Sequence, residues 1–293
     1  MQVLIFGRSY HKENHEPIVQ LFSILDSLEI GYYVYSSFLK EIKDEGGLDV
    51  KAKSFDGYSD FKKHKIDYVI SLGGDGTILN AITIIRDHEI PVLGINLGRL
   101  GFLASTEKKN IEAALIKLKA GQIKIINRTM LHLKSKDPLF GDAPIALNDF
   151  TISKQDTSSM ITINVWLDDR FLNSYWADGL IVSTPTGSTG YNLSCGGPII
   201  FPNSDSFAIT AIAPHNLTVR PIIIPDDSKL TFEIKGRGDN FLCTLDSRYQ
   251  IIDASIKLKL SKCKYEAKIA VPKGITFMKT LRNKLNWGSD YRN

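Results

Sequence analysis

The densest group of hydrogen-bonding side chains lies between Asp178 and Pro198, in a stretch of small residues. Residues 179–219 contain one formal charge, Asp205, although charged residues make up 23% of the chain. Small residues let a ligand approach the backbone closely, and hydroxyl groups both donate and accept hydrogen bonds. The hydroxyls belong to Ser183, Thr184, Thr186, Ser188, Thr189 and Tyr191. The stretch is too polar for a core strand and too rich in glycine for a helix, and its chemistry suits a polyhydroxylated or nucleotide-like ligand.

The second candidate site is the pentapeptide Gly73-Gly74-Asp75-Gly76-Thr77, which follows an apolar run and precedes a helical pattern. A glycine turn between a strand and a helix places free N–H groups and the positive end of the helix dipole where phosphates bind. The turn has neither the lysine of a P-loop nor the glycine spacing of a dinucleotide fingerprint. Its aspartate would repel phosphates unless it binds Mg²⁺ or acts as a base. The alternative is that Asp75 only caps the helix.

Other polar residues carry weaker signals. The pair Asn148-Asp149 stands among apolar residues, and on its own it indicates a capped turn rather than a site. The glycine-punctuated loop from Asn96 to Leu103 could line the same cleft as Asp75. Single residues such as Cys195 and His215 indicate packing and local hydrogen bonds. No His, Cys or carboxylate cluster has zinc-ligand spacing, so no metal-ligating side chains are predicted.

The first half of the chain alternates between apolar strand runs and helical periodicity, which predicts an open, largely parallel sheet with helices on both faces. The predicted strands are Val3–Phe6, Tyr32–Tyr35, Asp67–Leu72 and Pro91–Ile95. The predicted helices are one that starts near Pro17 and buries Ile18, Leu21, Phe22, Leu25 and Leu28, a short one at Phe38–Lys43, and an amphipathic one at Glu107–Lys119 that buries Ile111, Leu115 and Leu118.

From Ile125 onward short alternating strands replace the helical period. The predicted strands are Met130–Lys134, 161–167, Phe171–Trp176, Ala208–Ala213, Val219–Ile224, Leu230–Lys235, Phe241–Leu245 and Ile256–Leu260, with a hairpin tip at Asp168-Asp169. The last stretch carries Phe277, Leu281 and Leu285 at helical spacing. We therefore expect a Rossmann-like α/β domain at 1–124, a sandwich-like all-β domain at 125–270 and a tail at 271–293 that packs on the first domain.

Composition limits the partners. The net charge of +4 and pI near 8.7 come from Lys and Arg spread along 293 residues, so we expect phosphorylated small molecules rather than nucleic acid. Three cysteines without framework spacing favour a reducing cytoplasm. No signal segment or run of ~20 apolar residues is present, so no membrane association is expected.

Four blocks, taken in order, resemble the NAD kinase family, which uses ATP to phosphorylate the 2′-hydroxyl of the adenosine ribose of NAD. They are Gly73 to Thr77, Asn96 to Leu103, Asn148-Asp149 and Asp178 to Pro198, and they span nearly the whole chain. The fourth block is the most specific, because diacylglycerol and sphingosine kinases share the glycine-aspartate loop and phosphofructokinases have a similar one.

The resemblance implies roles for individual residues. Asp75 is the general base, Gly73, Gly74, Asp75, Gly76 and Thr77 cradle the phosphates of ATP, and Mg²⁺ or another divalent cation accompanies them. The residues implied to contact NAD are Phe102, Asn148, Asp149, Asp178, Thr189, Gly190, Tyr191, Asn192, Leu193, Ser194 and Ala213. The α/β domain is then expected to bind ATP and the β-rich domain NAD, with reaction in the cleft between them.

Four positions depart from the family pattern. Asp149 replaces the usual Glu and Gly190 the usual Ala, and both changes are chemically conservative. Trp176 stands where many members have Arg or Lys, and Arg248 stands where Gln is common. The last two changes leave the contacts to the phosphates or far end of the ligand unassigned.

Two other functions are alternatives to an NAD kinase: a lipid kinase and a non-enzymatic NAD sensor. A diacylglycerol-type lipid kinase would share residues 73–77 but is expected to lack the Thr-Pro-Thr-Gly-Ser-Thr run. A non-enzymatic NAD sensor has no reason to keep Asp75 in a phosphate loop.

The apolar side chains of residues 199–224, together with the resemblance, predict a homodimer or homotetramer in which a subunit contact braces the NAD site.

Overall fold

The computed structural model describes residues 1–98, 101–155, 159–236 and 240–287. The chain forms two compact units. The first unit contains Met1–Asn127 and Ala267–Asn293, of which 288–293 lie outside the described residues, and the second contains Arg128–Glu266. The second unit is therefore one continuous insertion into the first.

The strands in chain order are β1 (Gln2–Gly7), β2 (Gly31–Tyr35), β3 (Lys53–Phe55), β4 (Tyr68–Leu72), β5 (Val92–Asn96), β6 (Thr106–Glu107), β7 (Ile123–Arg128), β8 (Leu131–Ser135), β9 (Ile145–Ala146), β10 (Asp149–Lys154), β11 (Ile161–Leu167), β12 (Arg170–Ala177), β13 (Gly179–Ser183), β14 (Ser206–Ile212), β15 (Ile222–Pro225), β16 (Leu230–Lys235), β17 (Asn240–Leu245), β18 (Arg248–Asp253), β19 (Leu258–Lys262) and β20 (Ala267–Pro272). The α-helices are α1 (His15–Ser27), α2 (Ser36–Asp44), α3 (Asp75–Ile85), α4 (Ile111–Lys119), α5 (Tyr191–Ser194) and α6 (Phe277–Leu285). None of the helices within the described ranges is long and apolar enough to cross a bilayer.

The first unit is built on an eight-stranded sheet in the order β3-β2-β1-β4-β5-β20-β7, with β6 paired to β5. The pairings from β3 to β20 along this path are parallel. Chain order reverses between β1 and β4, so the loops that follow these two strands diverge and leave a crevice at the carboxyl edge of the sheet. Ligands of doubly wound sheets bind at this switch point.

The predicted helices of the first unit are confirmed by the residues they bury. Helix α1 buries Ile18, Leu21, Phe22 and Leu25, and α4 buries Ile111, Leu115 and Leu118. These side chains join one hydrophobic cluster with β1, β4 and β5. Helix α6 belongs to the same unit, and Leu281 is 2% exposed.

The second unit consists of two six-stranded sheets, in the orders β15-β14-β13-β10-β17-β18 and β12-β11-β16-β19-β8-β9. One hydrophobic cluster draws on both sheets, for example Phe150 from β10 and Phe232 from β16, whose ring centroids are 5.2 Å apart. This is the predicted sandwich. The predicted hairpin tip is also confirmed, because Asp168 and Asp169 have φ of 48° and 64° and join β11 to β12, as a type I′ turn requires.

Two sequence interpretations were wrong in part. The stretch from Asp178 was judged too polar for a core strand, yet Gly179–Ser183 forms β13, which is buried throughout and pairs with β10 and β14. Three consecutive aliphatic residues at 180–182 suffice for a short strand that is covered on both faces. Residues 267–270, assigned from sequence to the β-rich domain, belong to β20 and pair with β5 of the first unit.

Candidate active site

The glycine turn at 73–74 joins β4 to α3 in a conformation that needs glycine. Gly73 has φ of 146°, and a β-carbon at this position would lie 2.3 Å from Oγ1 of Thr77. Its N–H donates to the carbonyl oxygen of Ile95 on β5, which ties the turn to the neighbouring strand. A β-carbon at Gly74 or Gly76 would meet nothing within 4 Å. These two glycines therefore leave open space beside the N-terminus of α3.

A cavity of about 220 Å³ lies at the switch point between β1 and β4. Its lining residues are Arg8, Ser9, His11, Asn14, Leu72, Gly73, Gly74, Thr77, Leu97 and Gly98. The cavity thus joins most of the predicted phosphate loop to the segment after β1. That segment supplies Arg8, a cation that the sequence analysis missed. The signal for it was Gly7, which ends β1 at the edge where the phosphate loop also lies.

Asp75 is held by a segment far from it in sequence. Its Oδ2 accepts the N–H of Phe102 at 2.8 Å, and its Oδ1 accepts the N–H groups of Leu103 at 3.0 Å and Ala104 at 2.9 Å. A cap would receive hydrogen bonds from its own helix, but α3 has no side-chain cap and Asp75 is its first residue. Asp75 is therefore more than a turn-former, because three donors fix the direction of its carboxylate. Of the predicted loop Asn96 to Leu103, Arg99 and Leu100 lie outside the described residues.

In the second unit, the carboxylate of Asp246 organises the pair Asn148-Asp149. Asp246 lies in the turn between β17 and β18 with φ of 55°. Its oxygens accept the N–H groups of Leu147 at 2.9 Å, Asn148 at 2.7 Å and Asp149 at 3.2 Å. Asn148 thus directly precedes β10 and Asp149 begins it, and both are held by a carboxylate that the sequence analysis did not single out. The backbone of the pair is thus capped by Asp246, whereas the Asp149 side chain is buried and accepts from the Thr151 hydroxyl.

The uncharged stretch after β13 packs directly on this pair. The N–H of Thr184 donates to the carbonyl oxygen of Asn148 at 2.9 Å. A β-carbon at Gly187 would lie 2.1 Å from the same oxygen, so only glycine permits this contact. A β-carbon at Gly190 would be 3.9 Å from Nδ2 of Asn148. The structure therefore brings the third and fourth sequence blocks together.

Several hydroxyls expected to face a ligand are used inside the protein instead. Ser183, Thr184 and Ser188 are fully buried, and their hydroxyls donate to backbone carbonyl oxygens. Asn192 is also fully buried. Its amide nitrogen donates to the carbonyl oxygens of Ser188 and Pro198, and its amide oxygen accepts from the Thr210 hydroxyl. These side chains shape the loop, whereas Tyr191 is 48% exposed.

Burial, and secondarily the nearby Asp246 carboxylate, raise the pKa of Asp149 to about 7, against the opposing effect of the hydrogen bond from the Thr151 hydroxyl. Burial also raises the pKa of Asp246, but three backbone N–H groups and the Arg248 cation lower it. Asp246 has these donors, whereas among the residues that the structure describes Thr151, at 3.4 Å, is the one donor to the Asp149 carboxyl. We therefore assign the negative charge to Asp246. Asp149 is therefore the carboxyl that gains and loses a proton near neutral pH.

Tyr191, Asp178 and Ala213 complete the group. Burial raises the pKa of Tyr191, with further contributions from Cys195, Asp149 and Asp178, so these groups lie within electrostatic range of one another. Asp178 forms an ion pair with Lys154 at 2.6 Å. Its N–H donates to Ile212, which precedes Ala213, a residue with φ of 44°.

Two family models match the chain. The ATP-NAD kinase N-terminal domain matches residues 3–123, and the ATP-NAD kinase C-terminal domain matches residues 147–271. The NAD kinase of Cytophaga hutchinsonii is 45% identical over 99% of both chains, and that of Bacteroides fragilis is 39% identical over 100% of both chains. The chain belongs to the NAD kinase family. The resemblance carried by the four blocks is confirmed, and with it the prediction of an NAD kinase rather than a lipid kinase or a non-enzymatic sensor.

Solved structures of NAD kinase relatives have the same fold. Yeast NADH kinase complexed with NADH aligns with a TM-score of 0.88 at 24% identity, over all of this chain and 89% of that one. An NAD kinase from Archaeoglobus fulgidus in complex with ATP aligns with a TM-score of 0.75 at 21% identity, over 98% and 99% of the two chains. The predicted α/β and β-sandwich classes are thereby confirmed.

The structure also explains the two larger departures from the NAD kinase pattern. The guanidinium of Arg248 donates to the carbonyl oxygens of Ala143, at 2.7 Å, and Ile145. It is therefore committed to the protein's own backbone. Trp176 is 45% exposed, and its ring centroid lies 4.3 Å from that of His215. An aromatic pair with ring planes tilted by 53° thus stands where many family members have Arg or Lys.

Proposed function

We propose that the first unit binds ATP and that Asp75 activates the 2′-hydroxyl of the adenosine ribose of NAD, so that transfer of the γ-phosphate makes NADP. The observation that carries this proposal is the carboxylate of Asp75, which three N–H groups hold beside the phosphate-loop glycines. A general base must lie in a fixed position within hydrogen-bond reach of the proton that it takes. The chain supplies that fixed position.

The phosphates of ATP are proposed to lie at Gly73 to Thr77. Gly74 and Gly76 leave room for them, and Arg8 lines the same cavity. Phosphoryl transfer depends mainly on positioning and on neutralising charge over the phosphate oxygens. The cation of Arg8 contributes to that neutralisation in a loop that has no lysine.

Mg²⁺ supplies the remaining charge neutralisation when it accompanies ATP. Within the described ranges there is no group of three or more His, Cys, Asp or Glu side chains that could hold a metal ion. This matches the usual mode of Mg²⁺ in such enzymes, which is bound through substrate phosphates and one or two carboxylates rather than in a protein cage. Asp75 is assigned to the acceptor hydroxyl, so the cation would be held mainly through the phosphates of ATP.

NAD is proposed to bind the second unit at the side chains of Asn148, Asp149, Asp178 and Tyr191 and at the backbone near Gly190 and Ala213. Asn148, which precedes β10, and Asp149, which begins it, have their backbone N–H groups already taken by Asp246. Their side chains can therefore receive ribose hydroxyls without rearranging the strand. Thr189, Leu193 and Ser194 stay predicted contacts of the same loop. The buried amide of Asn192 supports that loop from behind.

A homodimer or homotetramer is proposed from the apolar residues that the second unit leaves exposed. Of the segment 199–224, Phe201 is 50% exposed, Leu217 89% and Ile223 56%, and Ile223 lies on β15 at the edge of its sheet. Apolar groups on an edge strand are commonly covered by a second copy. Sedimentation over a dilution series is expected to show Ile223→Lys dissociating before wild type. Ile251→Lys, on the opposite edge strand β18, is the matched control.

None of the three cysteines forms a disulfide, and we propose a cytoplasmic location, where thiols stay reduced. The activity test uses purified protein with ATP, Mg²⁺ and NAD, and an NADP-specific dehydrogenase to detect the product. Parallel reactions with NADH, with polyphosphate and with diacylglycerol define acceptor and donor. Phosphorylation of diacylglycerol without formation of NADP would refute the proposal.

A further inference from the structure

A second cavity in the first unit, of about 290 Å³, lies where β20 ends, beside β6 and α4. Its lining residues are Ser105, Thr106, Asn110, Ala113, Ala114, Lys117, Pro272, Lys273, Gly274 and Ile275. It shares no lining residue with the cavity at Gly73 and Gly74. Ala113, Ala114 and Lys117 lie on one face of α4, and Asn110, which precedes the helix, continues the same spacing. The cavity is therefore a separate, built feature of the unit.

The charge of this second cavity is positive. Lys117 and Lys273 line it, and no Asp or Glu does. Within the part of the chain that the structure describes, neither lysine forms an ion pair with a carboxylate. Two ammonium groups beside one cavity repel each other unless an anion lies between them.

The hydroxyl of Thr106 gives an independent indication of a ligand. Thr106 is 3% exposed, and its Oγ1 is buried with no hydrogen-bond partner among the described residues. A buried hydroxyl without a partner costs about 1–3 kcal/mol, so it is normally satisfied by protein, water or ligand. Asn110 precedes α4, and its side chain makes no cap hydrogen bond. Asn110 is thus an available polar side chain beside the lysines, whereas the Thr106 hydroxyl is covered by protein and would meet a ligand after a small local shift.

We propose that this cavity binds the phosphate group of a small molecule, at a site distinct from the phosphates of ATP. Ammonium groups serve phosphates as point charges, and hydroxyl and amide donors complete the shell of a tetrahedral oxyanion. The volume is at the lower limit of small-molecule pockets, which suits inorganic phosphate or a small phosphate monoester rather than a nucleotide. Lys117, Lys273 and Thr106 are the residues assigned to it.

The proposed phosphate site is continuous in sequence with the segment that holds Asp75. Ala104 donates its N–H to Oδ1 of Asp75, and the next two residues, Ser105 and Thr106, line the cavity. A ligand bound to Thr106 therefore orders the residues that precede it. Hydrogen exchange of the amides at 102–106 is expected to slow when the site is filled.

The test measures hydrogen exchange of the full chain with inorganic phosphate in one arm and glycerol 3-phosphate in the other. ATP and Mg²⁺ are present throughout to occupy the phosphate loop. Protection is expected in peptides that cover 102–117 and 272–275, and the arm with tighter binding identifies free phosphate or a monoester. The double variant Lys117→Met with Lys273→Met is expected to bind at least ~10-fold more weakly, whereas Lys40→Met, an exposed lysine on α2, is expected to bind as wild type does.

Thr106→Ser keeps the hydroxyl and is expected to retain binding, whereas Thr106→Val is expected to weaken it several-fold. Comparing these two folded variants separates loss of the donor from loss of structure. Unchanged binding in the double lysine variant overturns the proposal. So does protection confined to residues 72–78, or no protection in either arm. None of these readouts depends on NADP formation, so the phosphate site and the proposed reaction can fail separately.

Discussion

Gly101 touches Asp75 so closely that a β-carbon at position 101 would lie 1.9 Å from the carboxylate oxygen Oδ1. The same segment then donates N–H groups from residues 102–104 to that carboxylate. The absence of a side chain at 101 is therefore what lets the backbone wrap around the proposed base.

Replacing this glycine is expected to displace Asp75. Gly101→Ala should lower kcat at least ~10-fold and destabilise the fold by about 1–3 kcal/mol, because overpacking beside a fixed group forces the backbone to move. The control is the same substitution in an Asp75→Ala background, which removes the oxygens. If the clash with the carboxylate is the cause, Gly101→Ala lowers the free energy of unfolding much less in the Asp75→Ala background than in the wild type. An equal loss of stability in both backgrounds would show that the strain does not come from the Asp75 carboxylate.

Asp75→Asn tests the base directly. An amide keeps one accepting oxygen, enough for the N–H groups of Leu103 and Ala104, but cannot take the hydroxyl proton, so kcat should fall by ~10²-fold or more. Affinity for NAD, measured by calorimetry, should change little, because the proposed NAD contacts lie in the second unit. Near-normal turnover would reduce Asp75 to a structural residue.

The raised pKa of Asp149 predicts a pH dependence of stability with a definite sign. Its pKa is 3.8 in the unfolded chain and about 7 when folded. Between these values the folded state holds a proton that the unfolded state has released, so the free energy of unfolding falls as pH rises from about 4 to 7.

Asp149→Asn should remove that slope, so the stability difference from wild type grows with pH by on the order of 4 kcal/mol and levels off above pH 7. Thermal melts between pH 4 and 8 measure it, and Asp137→Asn, at an exposed position, controls for surface charge. A parallel pH profile for wild type and Asp149→Asn would refute the assignment of the titrating proton.

Arg248 should matter for stability. Arg248→Met leaves the carbonyl oxygens of Ala143 and Ile145 without their donor and leaves Asp246 without its cation, so we expect a loss of about 2–4 kcal/mol in the free energy of unfolding. Lys259→Met, an exposed cation on β19, should cost less than ~0.5 kcal/mol. Urea denaturation of both variants compares them. A Kd for NAD that worsens while stability is unchanged would make Arg248 a ligand contact instead.

The sequence predicted the first unit better than the second for a physical reason. The apolar residues of α1 and α4 recur at helical spacing, and the glycine turn lies between a strand and a helix. Local sequence pattern was therefore enough to predict these elements. The role of Asp246 depends on its distance from Asn148, which becomes short only when β10 pairs with β17. Residues 102–104 likewise meet Asp75 only through the folding of the loop. Such contacts between a carboxylate and distant backbone N–H groups produce no periodic pattern in the sequence, so they could not be predicted from it.

The insertion of β20 into the sheet of the first unit has a consequence for synthesis on the ribosome. Domains generally fold as the chain emerges, N-terminal parts first. Here β20, at Ala267–Pro272, separates β5 from β7 in the sheet order, so the first unit cannot complete its sheet until nearly the whole chain has been translated. The second unit, which is contiguous from Arg128 to Glu266, is complete earlier. The order of folding is thus expected to reverse the order of the sequence, and the phosphate loop stays on an unfinished sheet until the end of translation.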